Sequence, residues 1–267
     1  MFEETLARKT YKDEIFQVLH RRIIAGDYQP GEWLRQEEIA SQLGVSQTPV
    51  REALELLVSA GLAERVPFQG VRVLKPGTDE ILDAYAMRLL MERTAARAAA
   101  EKINEEQARE LVEMLEEMGR LDSLESLSRL RELNRALHLG IAAASGNPLL
   151  ARMCEMAANA FPDWMLYEAM FRFPERMQTS LRQEQEEHRS LVQALAGHDG
   201  ERAARIAGQH ILSLGADLVS LLGIPAERLR QKEIEMGCGE WDADHRKEVR
   251  RKNGMQIKMD NPYKESL

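Results

Sequence analysis

The sequence predicts a mainly α protein in two parts, an N-terminal winged helix-turn-helix and a C-terminal antiparallel six-helix bundle. Two observations carry this expectation. In the first 75 residues, helical periodicity is punctuated by Gly and Pro and then gives way to two short β-prone runs. From Asp79 to Leu222 the periodicity stays helical, with no strand signal. The 267 residues allow one or two domains, and 44% hydrophobic with 30% charged residues is a globular balance rather than a disordered one.

The elements follow in chain order. Tyr11, Ile15, Val18, Leu19 and Ile23 recur at helical spacing within residues 8–26, and the run Gly26 to Gly31, with Pro30, stops that helix. A short helix from about Gln36 to Leu43 starts with Glu37 and Glu38 at its dipole-favoured end and closes at Gly44. Ser46 is an N-cap residue for a third helix reaching about Ala60. Ala63–Val66 and Val71–Leu74 flank the turn Pro67-Phe68-Gln69-Gly70 and make the wing, and Pro76-Gly77 reads as the hinge. Six helices are then expected over 79–101, 104–120, 123–144, 148–166, 177–196 and 199–222. The domain reading is therefore 1–75, 79–222 and a charged, weakly periodic extension over 226–267 in which Trp241 is a docking candidate.

Net charge is -8 at pH 7, which argues against coating nucleic acid by bulk charge. Its distribution changes that argument. Residues 1–75 carry 10 basic and 11 acidic side chains, residues 76–225 carry 16 and 24, and residues 226–267 carry 10 and 9. The acidity sits in the middle block and leaves a near-neutral first part. Cys154 and Cys238 are too few for a disulfide framework, and no apolar stretch approaches the ~20 residues of a membrane span. With a charge-alternating N-terminus, a cytoplasmic protein without a membrane partner is expected.

In a helix-turn-helix the second helix enters the major groove. Its exposed start here is Ser46, Gln47, Thr48 and Arg51, while Val50, Leu54 and Leu57 face inward. Gln suits adenine and Arg suits guanine, Ser and Thr suit either base or phosphate, and Arg35 ahead of the preceding helix can take a phosphate. A solvated Gln47, and an Arg51 engaged by Glu55 one turn on, are the plainer alternatives.

Three of the six histidines, His138, His188 and His210, fall on the inward stripes of three different helices, with Asn134 one turn before His138. Such convergent groups suit zinc or another divalent ion, although each is equally readable as a hydrogen-bonded core histidine. Glu184, one turn before His188, is a candidate partner for it or a solvated residue. Arg88, on the stripe Ile81, Tyr85, Arg88, Glu92, can clamp a carboxylate or pair with Glu92. Arg131 and Arg135 read as surface residues. Tyr85, Trp164, Tyr167 and Phe171 read as core or dimer packing, with pocket lining as the alternative.

The run LGVSQTPVREAL over Leu43–Leu54, with GDYQPGEWLRQEEIA before it and PFQG after it, resembles the GntR family of bacterial transcription regulators. The resemblance implies DNA contacts at Arg35, Ser46, Gln47, Thr48 and Arg51, and from the wing at Gln69 and Gly70. Family members usually carry arginine where this chain has Gln47 and Gln69. Asn134-x3-His138, EHRSLVQAL at His188, and His210 are similar to the FCD effector domain of the FadR subfamily, in its metal-binding, six-helix branch. That similarity implies Asn134, His138, His188 and His210 as metal ligands, with aspartate more common at the first position. It also implies a small organic-acid effector beside Arg88.

The expectation is a homodimeric DNA-binding regulator, a repressor by default, on an operator with an inverted repeat. Its sensor holds zinc, or else nickel or manganese, and a small carboxylate. The alternatives are a metal-free bundle binding a larger acyl ligand and, remotely, a metal-dependent hydrolase, since three histidines and an open metal position can activate water.

Overall fold

The computed structural model describes residues 11–121, 126–171 and 174–237. The chain divides into two compact units, Met1–Lys75 and Pro76–Leu267. Arg8, Lys9, Leu124, Cys238, Trp241 and His245 lie outside the described residues, as does the Phe171 side chain.

In the first unit, α1 (Tyr11–Ile24), α2 (Gln36–Leu43) and α3 (Gln47–Ser59) precede a hairpin of β1 (Ala63–Val66) and β2 (Gly70–Val73). Ile15, Leu19 and Ile23 of α1 are buried with Ile39 of α2 and with Val50, Leu54 and Leu57 of α3. Gly44 ends α2 in the left-handed conformation at φ 66°, a cap that a Cβ would strain, and its N–H reaches back to Ala40 and Ser41. The hairpin pairs Ala63 with Val73 and Val66 with Gly70, antiparallel. This register turns Val71 and Val73 into the core. A third extended segment is laid on β2 through Leu34 N–H to Val71 O and Val73 N–H to Glu32 O, at 2.9 and 2.8 Å. It carries Trp33 and Arg35 to the base of the hairpin.

In the second unit, the helices are α4 (Thr78–Lys102), α5 (Glu105–Met118), α6 (Leu127–Ala144), α7 (Pro148–Ala160), α8 (Asp163–Phe171), α9 (Pro174–Ala196), α10 (Gly200–Leu221) and α11 (Ala226–Glu235). Their starts are written in short polar side chains. Asn104 accepts from Gln107 N–H while the Gln107 side chain accepts from Asn104 N–H, and Asp199 accepts from Arg202 N–H. Central α4 lies antiparallel to α10. Tyr85, Arg93 and Arg97 successively meet Gly215, Gly208 and Gly200, glycines whose missing Cβ atoms let the two helices approach.

Two differences from the sequence expectation stand out. The helix expected over 148–166 is two helices: Phe161 closes α7 in extended conformation and α8 starts beyond Pro162, so among the described residues the bundle has seven helices before α11. Proline lacks the N–H that a continuous helix would need there. Secondly, the start of the expected extension is ordered as α11. It docks on α4 through buried Leu229, the ion pairs Arg228–Asp79 and Lys232–Asp83, and a 2.7 Å hydrogen bond from the Tyr85 hydroxyl to Glu233. Among the described residues, no helix is long and apolar enough to cross a membrane.

Candidate functional site

The three histidines come together. His138 on α6, His188 on α9 and His210 on α10 each offer a nitrogen, and these atoms all lie within 4.8 Å of one another. The ring centroids are 5.1, 5.1 and 4.6 Å apart. Each residue is on the inward stripe of its helix, which is why three separate amphipathic patterns converge on one point.

The outer nitrogens are fixed by carboxylates. His138 Nδ1 meets Glu92 Oε2 at 2.7 Å, and His210 Nδ1 meets Glu187 Oε2 at 2.9 Å. Both rings therefore turn Nε2 inward, as histidine ligands do when a second partner orients them. Glu187 is itself held by Ser213 Oγ at 2.8 Å and Gln183 Nε2 at 2.8 Å. Burial alone would raise Glu92, but Arg88 and His138 together hold it well below the usual carboxylate range. His188 is pushed well below the ordinary histidine value by burial and then by His210, His138 and Arg88. Burial also lowers His138, against the pull of Glu92. For His210 burial acts downward too, yet Glu187 more than offsets it and the value is raised.

The donor set fits a divalent ion. His138 Nε2 and His188 Nε2 face each other at 3.2 Å. Two nitrogens each ~2.0–2.1 Å from one zinc would be about 2.9–3.4 Å apart. In addition, Asn134 Oδ1 and His188 Nδ1 are buried without any hydrogen-bond partner. A buried acceptor with no donor costs about 1–3 kcal/mol, so the Asn134 oxygen, one turn before His138 and in the same cavity lining, asks for an electrophile. The other end of that amide donates to the Tyr167 hydroxyl at 3.5 Å.

A cavity of 680 Å³ opens beside the cluster. Asn134, His138 and His210 are in its wall together with Arg88, Arg135, Tyr167 and Glu184, while His188 is fully buried and does not line it. Arg88 makes the expected pair with Glu92 and also faces the cavity. Its Nε donates to Glu92 Oε1 at 2.6 Å, its guanidinium lies 5.0 Å from the Phe161 ring centre, and it lines the cavity. One carboxylate thus joins Arg88 to His138.

Several sequence readings need correction. Glu184 makes no hydrogen bond to His188; burial raises it, and it faces the cavity. The carboxylate on the cluster from α9 is Glu187, which serves His210. Arg131 is mostly buried, paired with Asp163 at 2.7 Å, and Arg135 lines the cavity instead of the outer surface. Tyr85, by contrast, is core as expected, fully buried between α4, α10 and α11. Glu187 carried no signal in the sequence, because its role depends on how α9 lies against α10.

In the first unit, Ser46, Gln47, Thr48 and Arg51 are exposed at the start of α3. Ser46 has the extended backbone of an N-cap residue, φ -73° and ψ 162°, but its hydroxyl makes no cap bond. Arg51 forms no ion pair among the described residues, since Glu55 is engaged by Arg65 of β1. Gln36 Nε2 donates to Gln47 O and Oε1 at 3.1 and 3.2 Å, which holds the Gln47 side chain in place. The guanidinium groups of Arg35 and Arg72 lie 5.2 and 5.9 Å from the Trp33 ring centre. Gln69 and Gly70 are exposed at the wing.

With this geometry in view, the comparisons with known proteins are direct. Residues 11–73 match the family of bacterial regulatory proteins called the gntR family, and residues 83–213 match the FCD domain. The chain is 30% identical over 185 residues to the HTH-type transcriptional regulator McbR of Escherichia coli strain K12, covering 68% of this chain and 81% of that one. It is 26% identical over 207 residues to the HTH-type transcriptional repressor GlaR of the same strain, covering 74% and 91%. The solved structure of E. coli McbR/YncC overlays with a TM-score of 0.56 at 26% identity, covering 78% of this chain and 97% of that one. The chain belongs to the GntR family of bacterial regulatory proteins, with an FCD domain as its second part, and is a transcription regulator rather than an enzyme.

Proposed function

We propose that this regulator is a cytoplasmic, homodimeric repressor whose grip on an inverted-repeat operator is set by a metal-assisted carboxylate sensor. Arg35, Ser46, Gln47, Thr48 and Arg51, with Gln69 and Gly70 of the wing, contact the DNA. Asn134, His138, His188 and His210 hold a divalent ion, zinc before nickel or manganese, and a small carboxylate effector sits in the cavity against the ion and Arg88. The observation that carries the sensor reading is the inward-facing imidazole trio, with Asn134 Oδ1, one turn before His138, left buried and unpartnered.

When bound, the ion supplies a positive charge that attracts an anion; a neutral Asn134 in place of a carboxylate leaves that charge one unit larger. The protein's own residues do the rest. Glu92 and Glu187 orient the rings, and Arg88 offers planar donors to a carboxylate. The same wall carries Glu184, Asp217, Ser213 and Ser220, so it favours a carboxylate ligand that also donates hydrogen bonds.

Elemental analysis of the purified protein, followed by melting with and without EDTA, tests the reading. About one ion per chain is expected, with a lower melting temperature after chelation, because a ligand bound only to the native state stabilises by mass action. His188→Ala should abolish both. A metal-free parent whose melting temperature zinc does not change sinks the metal assignment.

A further inference from the structure

The tip of the wing carries a feature that the family match does not explain. Phe68 exposes 110% of its reference area, the most exposed large apolar side chain among the described residues. It also holds a positive φ of 63°. Gln69 N–H donates to Val66 O at 3.1 Å, closing a four-residue turn with Pro67 and Phe68 at its centre. Proline fixes φ near -65° at the first central position, so a positive φ at the second makes this a type II turn. That second position normally takes glycine, and a bulky side chain is strained there. A strained, unpacked aromatic contributes nothing to the fold of this unit. Glycine or asparagine would hold the turn better and keep an apolar ring out of water.

The wing is tied to the reader helix. Arg65 on β1 pairs with Glu55, which lies one turn beyond Arg51 on α3 and on the same face. The tip lies three residues past Arg65, in the hairpin that this pair ties to α3. A group reaching sideways from a helix seated in the major groove meets the sugar-phosphate ridge and the minor groove beyond it. Phe has no donor or acceptor for the groove's hydrogen-bond pattern. It can pack on the apolar deoxyribose walls or wedge against a base step, as apolar side chains do in minor-groove binders.

We infer that Phe68 is a DNA-contacting residue of the wing, inserting its ring into the minor groove flanking the site read by α3. This rests on the proposed DNA face above. The probe is a duplex selected from a random pool by the parent protein, with binding measured across a salt series. Phe68→Gly should lose at least fivefold in affinity while melting no lower than the parent, because it relieves the left-handed strain. The slope of log affinity against log salt should stay unchanged, since no charge is removed; a lost phosphate contact would lower it by about one. Phe68→Trp should bind within twofold of the parent. If Phe68→Gly binds within twofold while Arg51→Ala loses specific binding, the DNA face stands and the role of Phe68 is refuted. A Phe68→Gly loss accompanied by a changed salt slope also refutes it. If Arg51→Ala itself binds like the parent, the DNA face falls, and this inference with it.

Discussion

Gly215→Ala is a sensitive probe of how the second unit is packed. A Cβ at Gly215 would lie 2.6 Å from the Tyr85 hydroxyl oxygen, 2.9 Å from Cζ and 3.0 Å from Cε2. Tyr85 is fully buried, and its hydroxyl donates to Glu233 of α11. In a free helix the substitution would stabilise by about 1 kcal/mol through propensity. Here the methyl group must drive the tyrosine ring or the two helices apart, at about 1–3 kcal/mol for overpacking. If the ring moves, the buried Glu233 loses a donor, at about 1–3 kcal/mol. With the ring displaced the net is a loss of about 1–5 kcal/mol, or roughly 3–15 °C in melting temperature for a unit of this size. Differential scanning calorimetry of the full chain reads it. The cost should shrink by about 1 kcal/mol or more in a Tyr85→Phe background, where the atom nearest the new methyl is gone. A Gly215→Ala protein that melts at or above its parent would refute the close-packed reading of α4, α10 and α11.

Two further outcomes follow from the same reasoning. Asn104→Ala removes a cap bonded to Gln107 N–H and should cost about 1 kcal/mol in urea unfolding, whereas Ser46→Ala, whose hydroxyl makes no cap bond, should leave the unfolding midpoint unchanged and weaken operator binding; equal stability losses would contradict the contrast. Glu187→Gln keeps the size of the side chain that fixes His210 but removes its charge, and should weaken zinc binding about 10–100-fold in a chelator competition. Unchanged zinc affinity would mean that Glu187 does not orient the ring.

Much of this architecture was readable locally. Each of α1 to α6 carries its own period and terminator, and Gly44, Asn104 and the Pro67–Gly70 turn act within four residues of themselves. The inward placement of His138, His188 and His210 is a property of single amphipathic helices. What sequence could not supply depends on partners distant along the chain. Glu187 stands beside His188 in sequence but reaches His210 on α10. Glu184 shares the His188 face of its helix, yet it lines the cavity. α11 has few apolar residues of its own, and part of its anchor is Tyr85, 148 residues from Glu233. The break between α7 and α8 had a visible cause in Pro162. It was masked because the apolar run continues on both sides, with Phe161 and residues 164–170 all buried.

In the proposed sensor, Glu92 would have a property that neither of its neighbours has alone. One oxygen holds Arg88 and the other holds His138, so the two groups share a single charge. An ion drawing on the His138 ring strengthens that ring's demand on Glu92 and loosens its hold on Arg88. An anion that takes up Arg88 leaves Glu92 free to polarise the imidazole further. Each event favours the other, and thermodynamic linkage makes the two effects equal in free energy. The regulator would then report the product of metal supply and effector supply, a coincidence detector contained in one side chain.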